Sequence, residues 1–89
     1  MAEPIRILHV DDEPQFGELT AKFLERINGR FTVETATSAS NGRRRLEGDC
    51  EYDCVVSDYE MPGESGIEFL EAIRAEYPAL PFVLFTGKG

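Results

Sequence analysis

Hydrophobic and polar positions change period several times along the chain. Ile5-Arg6-Ile7-Leu8-His9-Val10 is a short apolar run, rich in β-branched residues, that stops at Asp11 and Asp12 and reads as a strand. From Pro14 the spacing lengthens: Phe16, Leu19, Phe23, Leu24 and Ile27 recur at helical intervals. Pro14 suits a first helical turn and Asn28-Gly29 supplies a stop, so the pattern predicts an amphipathic helix. Phe31 to Thr37 reads as a second strand, and Ser38 or Ser40 can cap a weaker helix that ends at Gly48. Asp53 to Asp58 is a third strand. Ser65-Gly66-Ile67-Glu68 matches a capping box, and Leu70, Ile73 and Tyr77 continue a helical face until Pro78. Pro81 to Thr86 completes the series as a fourth strand.

Strand and helix therefore alternate, β-α-β-α-β-α-β. Short connections between successive parallel strands favour right-handed crossovers with helices on both faces of the sheet. The expected class is α/β with a doubly wound parallel sheet, in one domain over residues 1–89. There is no internal repeat, linker or low-complexity segment. A domain of this size buries roughly 60–65% of its unfolded surface, enough for a modest core.

Composition narrows the function classes. A hydrophobic content of 42% with six phenylalanines argues against disorder, and no apolar run approaches the ~20 residues that span a bilayer. Met1-Ala2-Glu3-Pro4 lacks the basic region of a secretory signal, so a cytoplasmic chain with no membrane partner is expected. The net charge of −8 opposes nonspecific attraction to nucleic acid or anionic lipid. Of the nine basic residues only Lys22 and Lys88 are lysines, a balance suggestive of a high-salt cytoplasm. Arg43-Arg44-Arg45 fans around a helix at about 100° per residue and reads as a solvated face rather than a nucleic-acid stripe. Cys50 and Cys54 fit neither a Cys-x-x-Cys pair nor a zinc spacing and are expected to be free thiols. His9, inside a strand pattern, is expected to be packed rather than ligating.

The chemistry gathers at strand ends. In an open parallel sheet, ligands bind outside the carboxyl ends of the strands. The residues placed there are Asp11 and Asp12 after the first strand, Asp58 after the third and Thr86 after the fourth. Asp58 closes the apolar run Cys54-Val55-Val56-Ser57, and such a charge is costly to desolvate unless exposed, paired or bound to a cation. Capping of the following helix is the plain alternative for Asp11 and Asp12. Carboxylates brought together repel one another, and a hard cation relieves them; Mg2+ takes oxygen ligands and keeps waters, so one or two carboxylates plus a phosphate suit it. A carboxylate oxygen can then attack phosphorus and carry an acyl phosphate. A calcium loop starting at Asp58 fails, because Glu60, Pro62 and Phe69 occupy its third, fifth and twelfth positions.

Three separate motifs carry a resemblance: the acidic pair in Leu8-His9-Val10-Asp11-Asp12-Glu13, Asp58-Tyr59-Glu60-Met61-Pro62-Gly63-Glu64-Ser65-Gly66, and Phe85-Thr86-Gly87. Together they span nearly the whole chain, which resembles a response-regulator receiver domain of two-component signalling. The arginine-rich, acidic wording also resembles receivers of salt-loving archaea. The resemblance implies a flavodoxin-like sheet in strand order 2-1-3-4. It implies a signalling phosphoacceptor, not a turnover enzyme, that takes phosphoryl from a histidine kinase or phosphotransfer protein onto Asp58. Asp12 would bind Mg2+ directly and Asp11 mostly through water, with Asp58 itself and the Glu60 backbone carbonyl as further ligands. Thr86 would contact the phosphoryl oxygens, with Gly87 leaving access, while Met61-Pro62 and Gly66 would shape the loop. One departure stands out: the family's lysine at the end of a fifth strand has no counterpart, since Lys88 follows the fourth strand. The expectation is a receiver lacking its C-terminal α-β-α portion. Two other readings stay open, a phosphorylation-incompetent pseudo-receiver and a Mg2+-dependent phosphohydrolase with an aspartyl nucleophile, although the latter usually carries Asp-x-Asp on its first strand. Loss of strand five would leave Phe82-Val83-Leu84-Phe85 as a sheet edge and predicts a homodimer through strand four.

Overall fold

The computed structural model describes residues 4–48, 52–59, 61 and 63–85. All four β-rich runs become strands: β1 (Ile5–Val10), β2 (Phe31–Ala36), β3 (Cys54–Asp58) and β4 (Phe82–Phe85). Between them lie α1 (Pro14–Ile27), α2 (Ala39–Gly48) and α3 (Gly66–Glu76). The strands form one parallel sheet in the order β2-β1-β3-β4. This is the expected flavodoxin-like α/β arrangement. Strand limits are slightly tighter than the hydrophobic runs, since Thr37, Asp53 and Pro81 lie outside the ladders.

The core fills one face of the sheet. Leu8, Val10, Ala36 and Val55 pack against Ala39 and Leu46 of α2 and Phe69 and Ile73 of α3. Phe69 meets Phe82 edge to face with ring centroids 5.5 Å apart, a pairing worth about 0.5–1.5 kcal/mol beyond its buried area. The sequence pattern of α3 named Leu70, Ile73 and Tyr77. In the structure Phe69 and Ile73, four residues apart, point inward, while Leu70 is half-buried. Gly42 lets α2 approach closely, since a Cβ there would stand 3.1 Å from both Phe69 Cζ and Val10 Cγ2.

The opposite face is covered over β1 and β2 by α1. Its buried residue is Gly17, where a Cβ would meet Thr35 Cγ2 at 3.4 Å and His9 Nδ1 at 3.5 Å. Phe16 and Leu24 are half-buried, but three other large apolar residues of this helix face outward. Leu19, Phe23 and Ile27 are 66%, 63% and 61% exposed. The helical advance of about 100° per residue explains this: with Gly17 turned to the sheet, positions 19, 23 and 27 form a stripe on the helix flank.

Capping follows the sequence where hydroxyls are available. The Ser65 hydroxyl accepts from the Glu68 N–H (3.2 Å) and Glu68 Oε1 accepts from the Ser65 N–H (3.0 Å), a complete capping box. Ser38 Oγ accepts from the Asn41 N–H at 3.0 Å, so Ser38 rather than Ser40 serves the start of α2. On β2, level with Leu8, Glu34 accepts from Arg6 (2.7 Å), Tyr52 (2.7 Å) and Arg45 (3.2 Å), and the Arg6 guanidinium lies 4.7 Å from the centre of the Tyr52 ring. With Arg45 paired there and Arg43 3.5 Å from Glu64, two of the three consecutive arginines turn to different acids. Cys54 is a free thiol whose pKa is raised, chiefly by burial; Cys50 lies outside the described residues. Among the described residues no helix is long and apolar enough to cross a membrane.

Candidate functional site

Strand register builds the site. Val10 pairs with Ser57 across β1 and β3, so the next residues, Asp11 and Asp58, emerge side by side at the carboxyl edge of the sheet. The Asp11 N–H donates to the Ala36 carbonyl at 3.0 Å, which ties the β1–α1 turn to β2. Asp11 Oδ1 accepts from the Glu13 N–H at 2.9 Å and so orients the carboxylate. The N-cap of α1 is Glu13 with no side-chain capping bond, so the two aspartates are not the caps of this helix.

Asp11 and Asp58 are 2% and 1% exposed, and Asp12 is half-buried. One carboxylate oxygen from each lies within 4.8 Å of the others. Three of the residues expected at the strand ends are thus brought together, while Glu60 and Thr86 lie outside the described residues. His9, fully buried two residues before Asp11, is held below the usual imidazole range by burial, which outweighs the opposing fields of Asp11 and Asp58. Its imidazole therefore favours the neutral form.

The loop after Asp58 is fixed by close backbone approach. The Gly66 N–H donates to the Tyr59 carbonyl at 2.8 Å. A Cβ on Gly66 would strike the Asp58 carbonyl oxygen and stand 2.7 Å from Leu84 Cδ2 and 2.9 Å from Tyr59 Cα. Gly63 adopts φ +85°, the left-handed region that glycine tolerates. The Ser57 hydroxyl, fully buried, donates to the Asp58 carbonyl at 3.1 Å. The chain around Asp58 is consequently held from both sides. Reading the sequence did not find the Asp11–Glu13 turn, although an aspartate two residues before an N–H at a helix start is its usual signal.

The donor set is all oxygen and anionic, and two of its three carboxylates are withdrawn from water. Such a set suits a hard divalent cation, with Mg2+ favoured over softer metals. The description of the response regulator receiver domain matches residues 7–89. The chain belongs to the receiver domain family. Response regulator Rre1 of Synechocystis is 40% identical across all of the chain, and PetR of Rhodobacter capsulatus 39% identical over 99% of it. This chain spans 38% and 35% of those two proteins, about a third of their length. A receiver domain from Clostridium thermocellum superposes with a TM-score of 0.84 at 35% identity, over 96% of this chain and 67% of that one. TrrA of Thermotoga maritima, solved with Mg2+ and BeF, gives 0.86 at 33% identity, over 96% of this chain and 71% of its own. TrrA has also been solved in complex with the histidine kinase ThkA. Receiver domains are signalling domains of two-component systems, for which phosphorylation and Mg2+ binding at the acidic pocket are typical.

Proposed function

We propose that this receiver accepts a phosphoryl group on Asp58 from the phosphohistidine of a kinase or phosphotransfer protein, in the cytoplasm and with Mg2+. The observation that carries the reading is the meeting of Asp11, Asp12 and Asp58, one oxygen of each within 4.8 Å, at the carboxyl ends of two adjacent parallel strands. Asp12, the half-buried member, would hold the ion directly and Asp11 mostly through water, with Asp58 and the Glu60 carbonyl as further ligands and Thr86 as a contact to phosphoryl oxygens. When bound, the ion offsets the charge of the carboxylates and of the incoming phosphoryl oxygens.

The remaining work belongs to the chain. Asp58, anchored through its backbone by Ser57 and Gly66, presents a carboxylate oxygen in line with the phosphorus. A P–O bond to Asp58 forms while the P–N bond to the donor imidazole breaks, and the electron pair leaves with that imidazole. Burial of Asp58 limits the water that could hydrolyse the acyl phosphate. The test is incubation with acetyl phosphate and Mg2+, read by intact mass. Wild type should gain one phosphoryl group and Asp58→Asn none; no gain by wild type in the presence of Mg2+ would favour the pseudo-receiver, and steady phosphate release from small phosphoesters the hydrolase. Titration with Mg2+ should show Asp12→Ala weakened at least about tenfold, the loss of one charged ligand; equal affinity would remove Asp12 from the ligand set.

A homodimer through β4 is a second reading. Val83 is 49% exposed on β4, which among the described residues lies at one side of the sheet and carries no charge. Light scattering should show a dimer that Val83→Lys dissociates; a monomer at every salt concentration would refute it.

A further inference from the structure

The outer edge of β2 carries a contact that phosphoryl acceptance does not use. Among the described residues β2 lies at the side of the sheet away from β4. The Ile5 N–H donates to the Arg30 carbonyl (2.7 Å) at the start of the β1–β2 ladder, and the Asp11 N–H to the Ala36 carbonyl (3.0 Å) at its end. Successive residues of a strand turn their backbone groups to opposite sides, so the even-numbered residues of β2 serve β1. The N–H groups of Phe31, Val33 and Thr35 therefore point away from the sheet. Phe31 turns its N–H back to the Asn28 carbonyl at 3.0 Å. Val33, in the middle of the edge, gives its N–H to Glu25 Oε2 of α1 at 3.1 Å.

An open strand edge is a template for a further strand. β2 suits that use, since Phe31, Thr32, Val33 and Thr35 are aromatic or β-branched. The edge is also self-complementary. Antiparallel pairing of two copies about a two-fold axis at Val33 sets Val33 against Val33 and Phe31 against Thr35, all of them outward-facing positions. Each Val33 N–H would then donate to the Val33 carbonyl of the other copy. In the structure Glu25 occupies that N–H and sets its carboxylate where the second backbone would run. Glu34, the acid of the strand itself, is turned to Arg6, Tyr52 and Arg45 and does not serve as a second guard.

We infer that Glu25 is an autoinhibitory contact: its carboxylate holds the Val33 N–H and closes the β2 edge to strand addition by a second copy of this chain. The guard sits in the last turn of α1, so the docking of that turn controls self-association. A contact that only anchors α1 to β2 has a different consequence, because its loss lowers stability and leaves the chain monomeric.

Sedimentation tests this in a Val83→Lys parent, whose β4 edge is charged, and at high salt, where repulsion between chains of net charge −8 is screened. Glu25→Ala should self-associate at least about tenfold more strongly than the parent. Glu25→Gln, whose amide oxygen still accepts an N–H, should match the parent. Val33→Pro added to Glu25→Ala should restore the monomer, because proline removes the outward donor and leaves the β1 ladder intact. Circular dichroism checks that each variant is folded. Hydrogen exchange needs no variant: the Val33 amide of the wild type should be protected although it lies on an edge. Glu25→Ala as monomeric as its parent, association that survives Val33→Pro, or Glu25→Gln associating like Glu25→Ala would overturn the proposal. So would a wild-type Val33 amide that exchanges as fast as an unstructured one. None of these substitutions touches Asp11, Asp12 or Asp58, so phosphoryl acceptance remains a separate readout.

Discussion

Replacing Gly66 with alanine adds one methyl group where, of the described glycines, the surroundings stand closest. That Cβ would meet the Asp58 carbonyl oxygen, Leu84 Cδ2 at 2.7 Å and Tyr59 Cα at 2.9 Å. Two of the three obstacles are backbone, so rotation of a side chain cannot relieve them. Overpacking of this kind costs about 1–3 kcal/mol. Displacing the loop also strains the Gly66–Tyr59 hydrogen bond, worth about 1 kcal/mol, while the lower entropy of the unfolded alanine chain returns about 0.4–1 kcal/mol. The expected net loss is about 1–3 kcal/mol, which in a domain of this size lowers the melting temperature by roughly 5–20 °C. Gly48→Ala is the control: nothing lies within 4 Å of its Cβ position at the end of α2, so the same change should be neutral or stabilise by up to about 1 kcal/mol. Urea titrations of the two variants should therefore shift in opposite directions from wild type, or leave Gly48→Ala unmoved. A Gly66→Ala protein as stable as wild type would refute the close-approach argument.

Three further outcomes are expected. Ser65→Ala removes one half of the capping box and should cost about 1 kcal/mol in urea titration, whereas Ser40→Ala, outside the α2 cap, should cost less than half of that. Hydrogen bonds from Arg6 and Tyr52 hold the Glu34 carboxyl below the usual range, so its contribution is complete above about pH 4.5 and disappears as pH falls through the lowered folded value. The stability difference between wild type and Glu34→Gln should shrink over that window, and a constant difference would contradict it. His9, kept neutral by burial, should make stability begin to fall earlier, as pH drops below about 6.5 and the unfolded chain takes up a proton that the folded chain resists; hydrogen-exchange or urea measurements at two pH values either side of that point check it.

Much of the fold was legible because hydrophobic period and punctuation agreed. Pro14, Asn28-Gly29 and Pro78 bracket α1 and the end of α3 as read, and the Ser65–Glu68 box appears with both of its bonds. The acidic pocket was legible for a different reason: a parallel sheet places strand-end residues together, so the spacing of Asp11, Asp12 and Asp58 already implied their meeting. What the sequence did not reveal depends on rotation about helix axes. An apolar stripe at positions 19, 23 and 27 looks like a core face, yet Gly17 governs which side of α1 meets His9 and Thr35, and the stripe turns outward. The same ambiguity hid Phe69 behind Leu70. Nor could spacing reveal that Gly66 is required by contact with the Asp58 carbonyl, because that contact joins two segments only after α3 docks.

The central claim is chemical, that Asp58 carries the phosphoryl group, and borohydride trapping tests it most directly. Reduction of an aspartyl phosphate releases phosphate and leaves homoserine at the modified position, which peptide mass spectrometry then locates. After incubation with acetyl phosphate and Mg2+, homoserine should appear at position 58, vanish when the metal is chelated, and be absent from Asp58→Asn. Homoserine at another aspartate, or trapping at position 58 that persists without divalent metal, would contradict the account.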